Sequence, residues 1–414
     1  MVRLKIVVIS LLVILLIRFV FFYNQKNNYQ NGQVVNFETT LLNEPQFLGN
    51  YQKFTLNLPQ GEPVFVTTSA LPEYKYGDRI TISSTLIKQV INKRTIYSLK
   101  FPKISLVKTK NSPLLAVTIF VRQSVTDLYN KALPADLSSL MLGIVFGIKA
   151  PMTKEFTQAL RLSGVFHVIA ASGMNVTLIG GFISSILVLF LRRQTALVLS
   201  IFGILFYVFL AGMQPSIVRA SIMGILVFTA QILGRQTLAS YSLFLAAFLM
   251  LFVSPNLISD VGFQLSFAAT LGLLYIRPLF EKMGKLKQLV AKFPLSEDLF
   301  VTFSAQIATL PILLLTFGTY SLWSIVVNSL VLWTIAPLMI LGAIAAITGL
   351  VLPGLASIFI YFSLPFLLYF QKVVSFFSSL QGAITIVDVP LSFVLAYYLF
   401  LLALVMYFSK AKND

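Results

Sequence analysis

The chain has 414 residues, 57% of them hydrophobic and only 11% charged, with a mean hydropathy of +0.87. That balance excludes an ordinary soluble domain and predicts a polytopic α-helical membrane protein, because helices satisfy their own backbone in lipid. Cysteine is absent and there is a single histidine, His167, so disulfides, thiol chemistry, thiolate metal sites and His-rich metal sites are excluded. The formal net charge of +17 has two sources to weigh: basic cytoplasmic loops, and an anionic partner.

Residues 1–23 read as a membrane anchor, with an apolar run over 4–22 behind Arg3 and Lys5. The run ends in Phe19-Val20-Phe21-Phe22-Tyr23 rather than in the small residues of a cleavage site, so we expect an uncleaved anchor with its N-terminus inside. Residues 34–110 alternate apolar and polar positions, as in VFVTTSA, ITISSTLI and TIYSLKF, with a turn at Gly77-Asp78. This predicts about five short strands in a small all-β barrel or sandwich, and the anchor puts it on the outer face.

Within that domain, Lys88, Lys93, Arg94, Lys100, Lys103, Lys108 and Lys110 occur with no acid among them, and Tyr97 and Phe101 lie between. Cations that track phosphates, with rings for base stacking, suit single-stranded nucleic acid. Lysines that keep an edge strand soluble give the same composition, and spacing alone favours that reading.

Residues 113–163 read as amphipathic and interfacial helices. A stripe of Leu114, Val117, Val121, Val125, Leu128 and Ala132 predicts one helix lying on the membrane surface or on the bundle, with Arg122 and Asp127 off the stripe. Residues 136–149 are apolar but short, which suggests a re-entrant or interfacial helix.

From 164 to 410 the chain reads as a helical membrane domain. The predicted spans are about 165–190, 196–211, 215–233, 240–253, 262–276, 298–317, 321–350, 355–376 and 391–409, making ten with the anchor. The 240–253 run is short, and the 321–350 run, which holds Pro337, is too long for one straight helix. Arg192-Arg193, Arg235, the Arg277–Lys292 stretch and Lys410 with Lys412 then all fall on the side of the N-terminus, as the positive-inside rule requires.

Few polar groups sit at membrane depth. They are His167, Ser172 and Asn175; Gln214 and Arg219 around Pro215; Asp260, Gln264 and Ser266; Gln306 and Thr309 before Pro311; and Asn328. Each needs a partner or an aqueous cavity. Helix–helix hydrogen bonding accounts for single members, while the group as a whole fits the lining of one path, and Arg219 and Asp260 could pair. Gly173, Gly212, Gly262 and Pro311 nearby suggest broken helices, which are tolerated where they line a cavity. A serine-hydrolase reading needs His167 beside Ser172, but a five-residue offset on a continuous helix separates them by about 140°. No G-x-x-x-x-G-K-[ST] motif is present, so uphill transport needs an external drive.

The stretch Ser163-Gly164, His167, Ala171-Ser172-Gly173 and Val176 resembles the signature of the ComEC/Rec2 competence family. Three later blocks follow in the same order: Arg219-Ala220 with Met223; Pro255 followed by Asp260-Val261-Gly262-Phe263-Gln264-Leu265-Ser266-Phe267; and Gln306 to Pro311 with Phe317-Gly318 and Asn328. Together they cover residues 134–335. The resemblance implies a channel in the bacterial cytoplasmic (inner) membrane that conducts single-stranded DNA during natural transformation, without a cofactor and without enzymatic activity of its own.

It also implies an OB-like fold for residues 34–110, which turns Lys88, Lys93, Arg94, Tyr97, Lys100, Phe101 and Lys103 into candidate DNA contacts. The candidate channel-lining residues are His167, Ser172, Asn175, Arg219, Asp260, Gln264, Gln306, Thr309 and Asn328. The implied partners are DNA, membrane lipids, a DNA receptor, a cytosolic DNA-translocating ATPase and a separate nuclease. This last follows from a departure: many family members carry a C-terminal metallo-β-lactamase-like domain, whose several histidines are not found here. The chain also reads Ser172-Gly173-Met174-Asn175 where the family often has Ser-Gly-Leu-His, and Ile-Lys-Ala after Gly147 where an acidic-basic pair is common. The competing expectations are a transporter of a small anionic solute or lipid, and an intramembrane serine hydrolase.

Overall fold

A computed structural model of the chain describes residues 2–25, 29–42, 44–59, 61–91, 94–107, 113–169, 172–282, 296–380, 382–385 and 389–410. Lys93, Lys108, Lys110 and Ala171 lie outside the described residues.

The N-terminal helix α1 (Val2–Gln25) leads into an all-β domain. Its strands are β1 (Val34–Thr40), β2 (Gln46–Leu48), β3 (Tyr51–Asn57), β4 (Pro63–Ser69), β5 (Arg79–Thr85), β6 (Ile87–Ile91), β7 (Arg94–Lys100) and β8 (Lys103–Leu106). β1 pairs antiparallel with β5 and β5 with β8, while β2–β3, β3–β4 and β6–β7 pair antiparallel and β4 runs parallel to β7. Only Leu86 separates β5 from β6, and only Phe101-Pro102 separates β7 from β8. β5 and β7 therefore run on across a bend into β6 and β8, which links a three-stranded sheet of order β1-β5-β8 to a five-stranded one of order β2-β3-β4-β7-β6. Alternation does the rest. Val35, Phe37, Phe54, Leu56, Val64, Val66, Ile80, Ile82 and Leu99 turn inward to one core, each worth about 1.5–3 kcal/mol of apolar burial. The turn falls at Tyr76-Gly77, one residue before the expected Gly77-Asp78, with the Lys75 amide donating to Asp78 at 2.7 Å.

The helical part begins with α2 (Pro113–Ala132), α3 (Ala135–Phe146), α4 (Lys154–Leu162) and α5 (Phe166–Ile169). It continues with α6 (Gly173–Phe190), α7 (Arg193–Leu210), α8 (Pro215–Ile232), α9 (Ala239–Val253), α10 (Val261–Leu271) and α11 (Arg277–Lys282), and ends with α12 (Ser296–Phe317), α13 (Ser324–Val331), α14 (Ile335–Val351), α15 (Pro353–Ser379) and α16 (Leu391–Lys410). Among the described residues nine helical stretches are long and apolar enough to cross a membrane, and α9 is a shorter apolar helix. The chain is a polytopic α-helical membrane protein with an N-terminal all-β domain. The long 321–350 run bends where expected: a 3-10 turn over Leu332–Thr334 separates α13 from α14, just before Pro337.

Two expectations need correction. The buried face of α2 is Thr118, Arg122, Val125 and Tyr129, while Leu114 and Val117 are exposed. The helix is rolled relative to the apolar stripe because Arg122 is drawn inward by partners. Residues 137–146 of α3 are all buried, so this short helix is the centre of the bundle, which removes the interfacial alternative and leaves the re-entrant one. At 1.5 Å per residue its twelve residues span about 18 Å, short of a full crossing.

The β domain rests on the end of the bundle that carries the α7–α8 turn. The Tyr76 hydroxyl donates to the Phe209 carbonyl at 3.1 Å. Arg122 donates to the Leu210 carbonyl and to Glu44 at 2.9 Å, and its guanidinium lies 3.9 Å from the Tyr76 ring centroid. Burial is the main cause that raises the Tyr76 phenol above its ordinary pKa.

Candidate functional site: a polar recess in the bundle and an exposed sheet face

The C-terminal end of α3 leaves carbonyls that its own backbone does not fill. Three elements supply donors. Asn175 Nδ2 donates to Ile144 at 2.7 Å, the Tyr207 hydroxyl to Val145 at 3.2 Å, and Gln214 Nε2 to Gly147 at 3.4 Å. Asn175 and Gln214 come from the N-terminal ends of α6 and α8, so these helix breaks converge on the end of α3. Ser172, the N-cap of α6, donates its hydroxyl to Asn175 Oδ1 at 3.0 Å.

Arg219 ties three helices at this level. It projects from α8, donates to the Ser266 carbonyl of α10 at 3.1 Å, and packs so tightly on Gly173 of α6 that a Cβ there would stand 2.7 Å from the guanidinium. Its Nε is buried with no hydrogen-bond partner, and no carboxylate pairs with it among the described residues. The expected Arg219–Asp260 pair does not form. Asp260 instead caps α10, accepting the Phe263 amide at 2.7 Å, and Gln264 donates to the Ile258 carbonyl at 2.8 Å. Both hold the α9–α10 turn. The field of Asp260 reaches Lys149, an exposed residue just beyond α3 in the Ile-Lys-Ala segment that departs from the family pattern.

A second cluster lies beside the first. Gln306 of α12 donates to Ser324 Oγ at 2.7 Å and accepts from the Tyr320 hydroxyl at 2.7 Å. Ser324 donates to the Gly164 carbonyl at 3.3 Å, and Asn328 Nδ2 donates to the Ser324 carbonyl at 2.7 Å. Gly164 has φ +77°, and a Cβ there would meet Ser324 Cβ at 2.6 Å, so both its backbone angle and its neighbour require glycine. Asn328 Oδ1 is buried without a donor. Thr309 only bonds back to its own helix, at the Ala305 carbonyl. His167, on the short helix α5, is exposed, with its ring beside the Gly164 backbone.

The candidate DNA contacts divide. Tyr97 is buried in the β-domain core, edge-on to Tyr29 at 6.0 Å, and Lys88 lies over its ring. Burial first, then the charge of Glu62 and a hydrogen bond to it, push the Tyr97 phenol up. It is a core residue and offers no exposed stacking face. Lys100, Phe101 and Lys103 are exposed, and Arg94 lies at the start of β7. The outward side of the sheet also carries residues that sequence spacing did not group. Lys53 is opposite Thr67, and Thr67 is opposite Lys100. Tyr51 and Phe101 meet edge-on at 5.7 Å with both rings exposed, and Phe65 is exposed on the neighbouring strand. The outward period-2 positions of β3 and β4 were the signal that could have found them.

Residues 144–411 match the family model described as Competence protein. ComE operon protein 3 of Bacillus subtilis (strain 168) is 26% identical over 272 residues, which cover 65% of this chain and 33% of that protein. An uncharacterised protein of Aquifex aeolicus (strain VF5) is 29% identical over 214 residues, covering 50% of this chain and 51% of the relative. The chain thus spans between a third and half of the length of these curated relatives. No solved structure matches significantly. With well over half of its length matched by the family model, the chain belongs to the competence protein family.

Proposed function

We propose that this chain conducts one strand of DNA across the bacterial cytoplasmic membrane during natural transformation, with the β domain as an OB-like capture module on the outer face. The observation that carries the reading is Arg219: a cation inside the bundle, at converging helix breaks, with no carboxylate to neutralise it among the described residues. A buried charge at membrane depth is costly unless it serves a path, and a path for phosphates needs fixed cations that do not read sequence.

The two linked sheets, with β4 parallel to β7, fit an OB-like fold, and the exposed Tyr51, Lys53, Phe65, Lys100 and Phe101 suit a single strand. The β domain sits at the opposite end from Arg192, Arg193, Arg235 and Arg277, so the positive-inside rule makes its side extracytoplasmic. Without a P-loop, the drive would come from a cytosolic ATPase, delivery from a DNA receptor, and removal of the second strand from a separate nuclease. The serine-hydrolase reading has less support, because the Ser172 hydroxyl donates to Asn175 instead of to a base.

The test follows labelled DNA separately to the outer face and into the cytoplasm in a deletion strain. Wild type should restore cytoplasmic entry, while Arg219→Ala should cut it about tenfold, the loss of roughly one charged contact, with binding at the outer face intact. If deletion leaves cytoplasmic DNA unchanged in a strain with no second family member, the DNA reading fails and a transporter of a small anionic solute or lipid takes its place.

A further inference from the structure

Arg18 is a charged residue inside the first membrane span, Ile6–Asn24. It is hidden in composition by the apolar residues around it, and nothing in the DNA reading uses it. It stands six residues before the end of the span nearest the β domain, which places its Cα about 9 Å below that end at 1.5 Å per residue. An arginine side chain reaches that distance by extending toward the interface.

The surroundings form a groove. Ile14, Ile17, Arg18 and Phe21 of α1 and Phe252 of α9 line an open space of about 380 Å³. The positions 14, 18 and 21 share one helical face, whereas Leu15 and Phe19 on the adjacent face pack against the cluster of Met250, Leu251 and Phe263. Arg18 Nε donates to the Phe252 carbonyl at 3.2 Å, near the end of α9, and the guanidinium lies 5.8 Å from the Phe22 ring centroid. Those contacts fix the plane of the guanidinium. No carboxylate pairs with it among the described residues, so its charge is unmatched.

We propose that this groove binds an anionic phospholipid from the leaflet on the β-domain side, with the phosphate on Arg18 and an acyl chain along Ile14, Ile17 and Phe252. Charge decides the occupant. A single unmatched cation at headgroup depth above an apolar floor calls for one phosphate with a hydrocarbon tail, and a net-negative headgroup leaves no uncompensated charge. The inference is independent of the DNA reading.

The full chain, in nanodiscs of phosphatidylcholine with a minority of phosphatidylglycerol, would be released and its retained lipids counted by native mass spectrometry. Wild type should enrich phosphatidylglycerol. Arg18→Gln, which keeps a donor for the Phe252 carbonyl, should lower that enrichment about fivefold, and Arg18→Lys should keep most of it. Ile17→Trp should block the chain's seat and lose the lipid with Arg18 in place, which decides the matter if the Gln variant does not assemble. Unchanged enrichment in both Arg18→Gln and Ile17→Trp overturns the proposal. So does displacement of the lipid by millimolar inorganic phosphate, which would make the site one for free anions.

Discussion

Two arginines carry opposite kinds of evidence. Arg122 has a carboxylate, a carbonyl and a ring as partners, namely Glu44 at 2.9 Å, the Leu210 carbonyl and the Tyr76 ring at 3.9 Å, although its Nε, like that of Arg219, is buried without a hydrogen bond. It joins α2 to both the β domain and the α7–α8 turn, so its work is docking. Among the described residues Arg219 has a carbonyl and the Phe267 ring but no carboxylate, and on the proposed function its charge is left for the phosphates of the strand. The difference is testable at Arg122. Arg122→Ala leaves Glu44 and a carbonyl unpaired in a half-buried site and should cost about 3 kcal/mol. It should lower the thermal transition of the purified chain and make the residues between the β domain and α2 more susceptible to protease. Arg122→Lys keeps the charge but loses the fork and the flat stacking surface, so it should recover only part of the loss. An unchanged melting transition in the Ala variant would mean that the docking rests on Tyr76 and the apolar contacts alone.

At the scale of elements, the sequence spoke clearly wherever length or period carried the signal. The spans were legible because an apolar run of about 18 residues has few other uses, and the strands because alternation is the signature of a half-buried sheet. The break near Pro337 was legible from chemistry. Two helices were not. In α2 the deciding force is a long-range ion pair, Arg122 with Glu44, that no local period encodes. In α3 every position from 137 to 146 is buried, so there is no polar face to reveal which way it lies, and shortness left a re-entrant and an interfacial location open. Its true constraint is its C-terminal end, whose carbonyls need Asn175, Tyr207 and Gln214. This assigns Asn175 a structural role alongside any role in lining a path. Asn175→Ala should therefore destabilise the chain by about 1–3 kcal/mol, the cost of orphaning the Ile144 carbonyl, visible as a lower melting temperature in detergent. If melting is unchanged and DNA entry still falls, Asn175 acts on the path and the capping role is minor.

At the scale of the whole molecule, the proposed function has the exposed sheet face and the polar clusters of the bundle act in series, and the face is where sequence and structure diverged most. A basic strip read along the chain is one-dimensional, whereas the sheet brings β3, β4 and β7 side by side. Tyr97 was drawn into the core by alternation, while Tyr51 and Lys53, about fifty residues earlier, were brought beside Phe101 and Lys100 by the β3–β4–β7 register. Phe101, with φ +48°, turns outward at the corner between β7 and β8 and its ring meets Tyr51. If that pair is a stacking platform, each ring should contribute about 1–3 kcal/mol to binding a single strand. Tyr51→Ala with Phe101→Ala should then weaken binding of an oligothymidine at least about tenfold, measured by fluorescence anisotropy with the full chain in nanodiscs. Lys53→Ala with Lys100→Ala should instead flatten the salt dependence, because those contacts are to phosphates. Lys88→Ala, whose side chain lies over the buried Tyr97, should change neither. Equal losses for Lys88→Ala and for the ring pair would return the interface to the opposite edge of the barrel, and with it the entry point of the strand into the bundle.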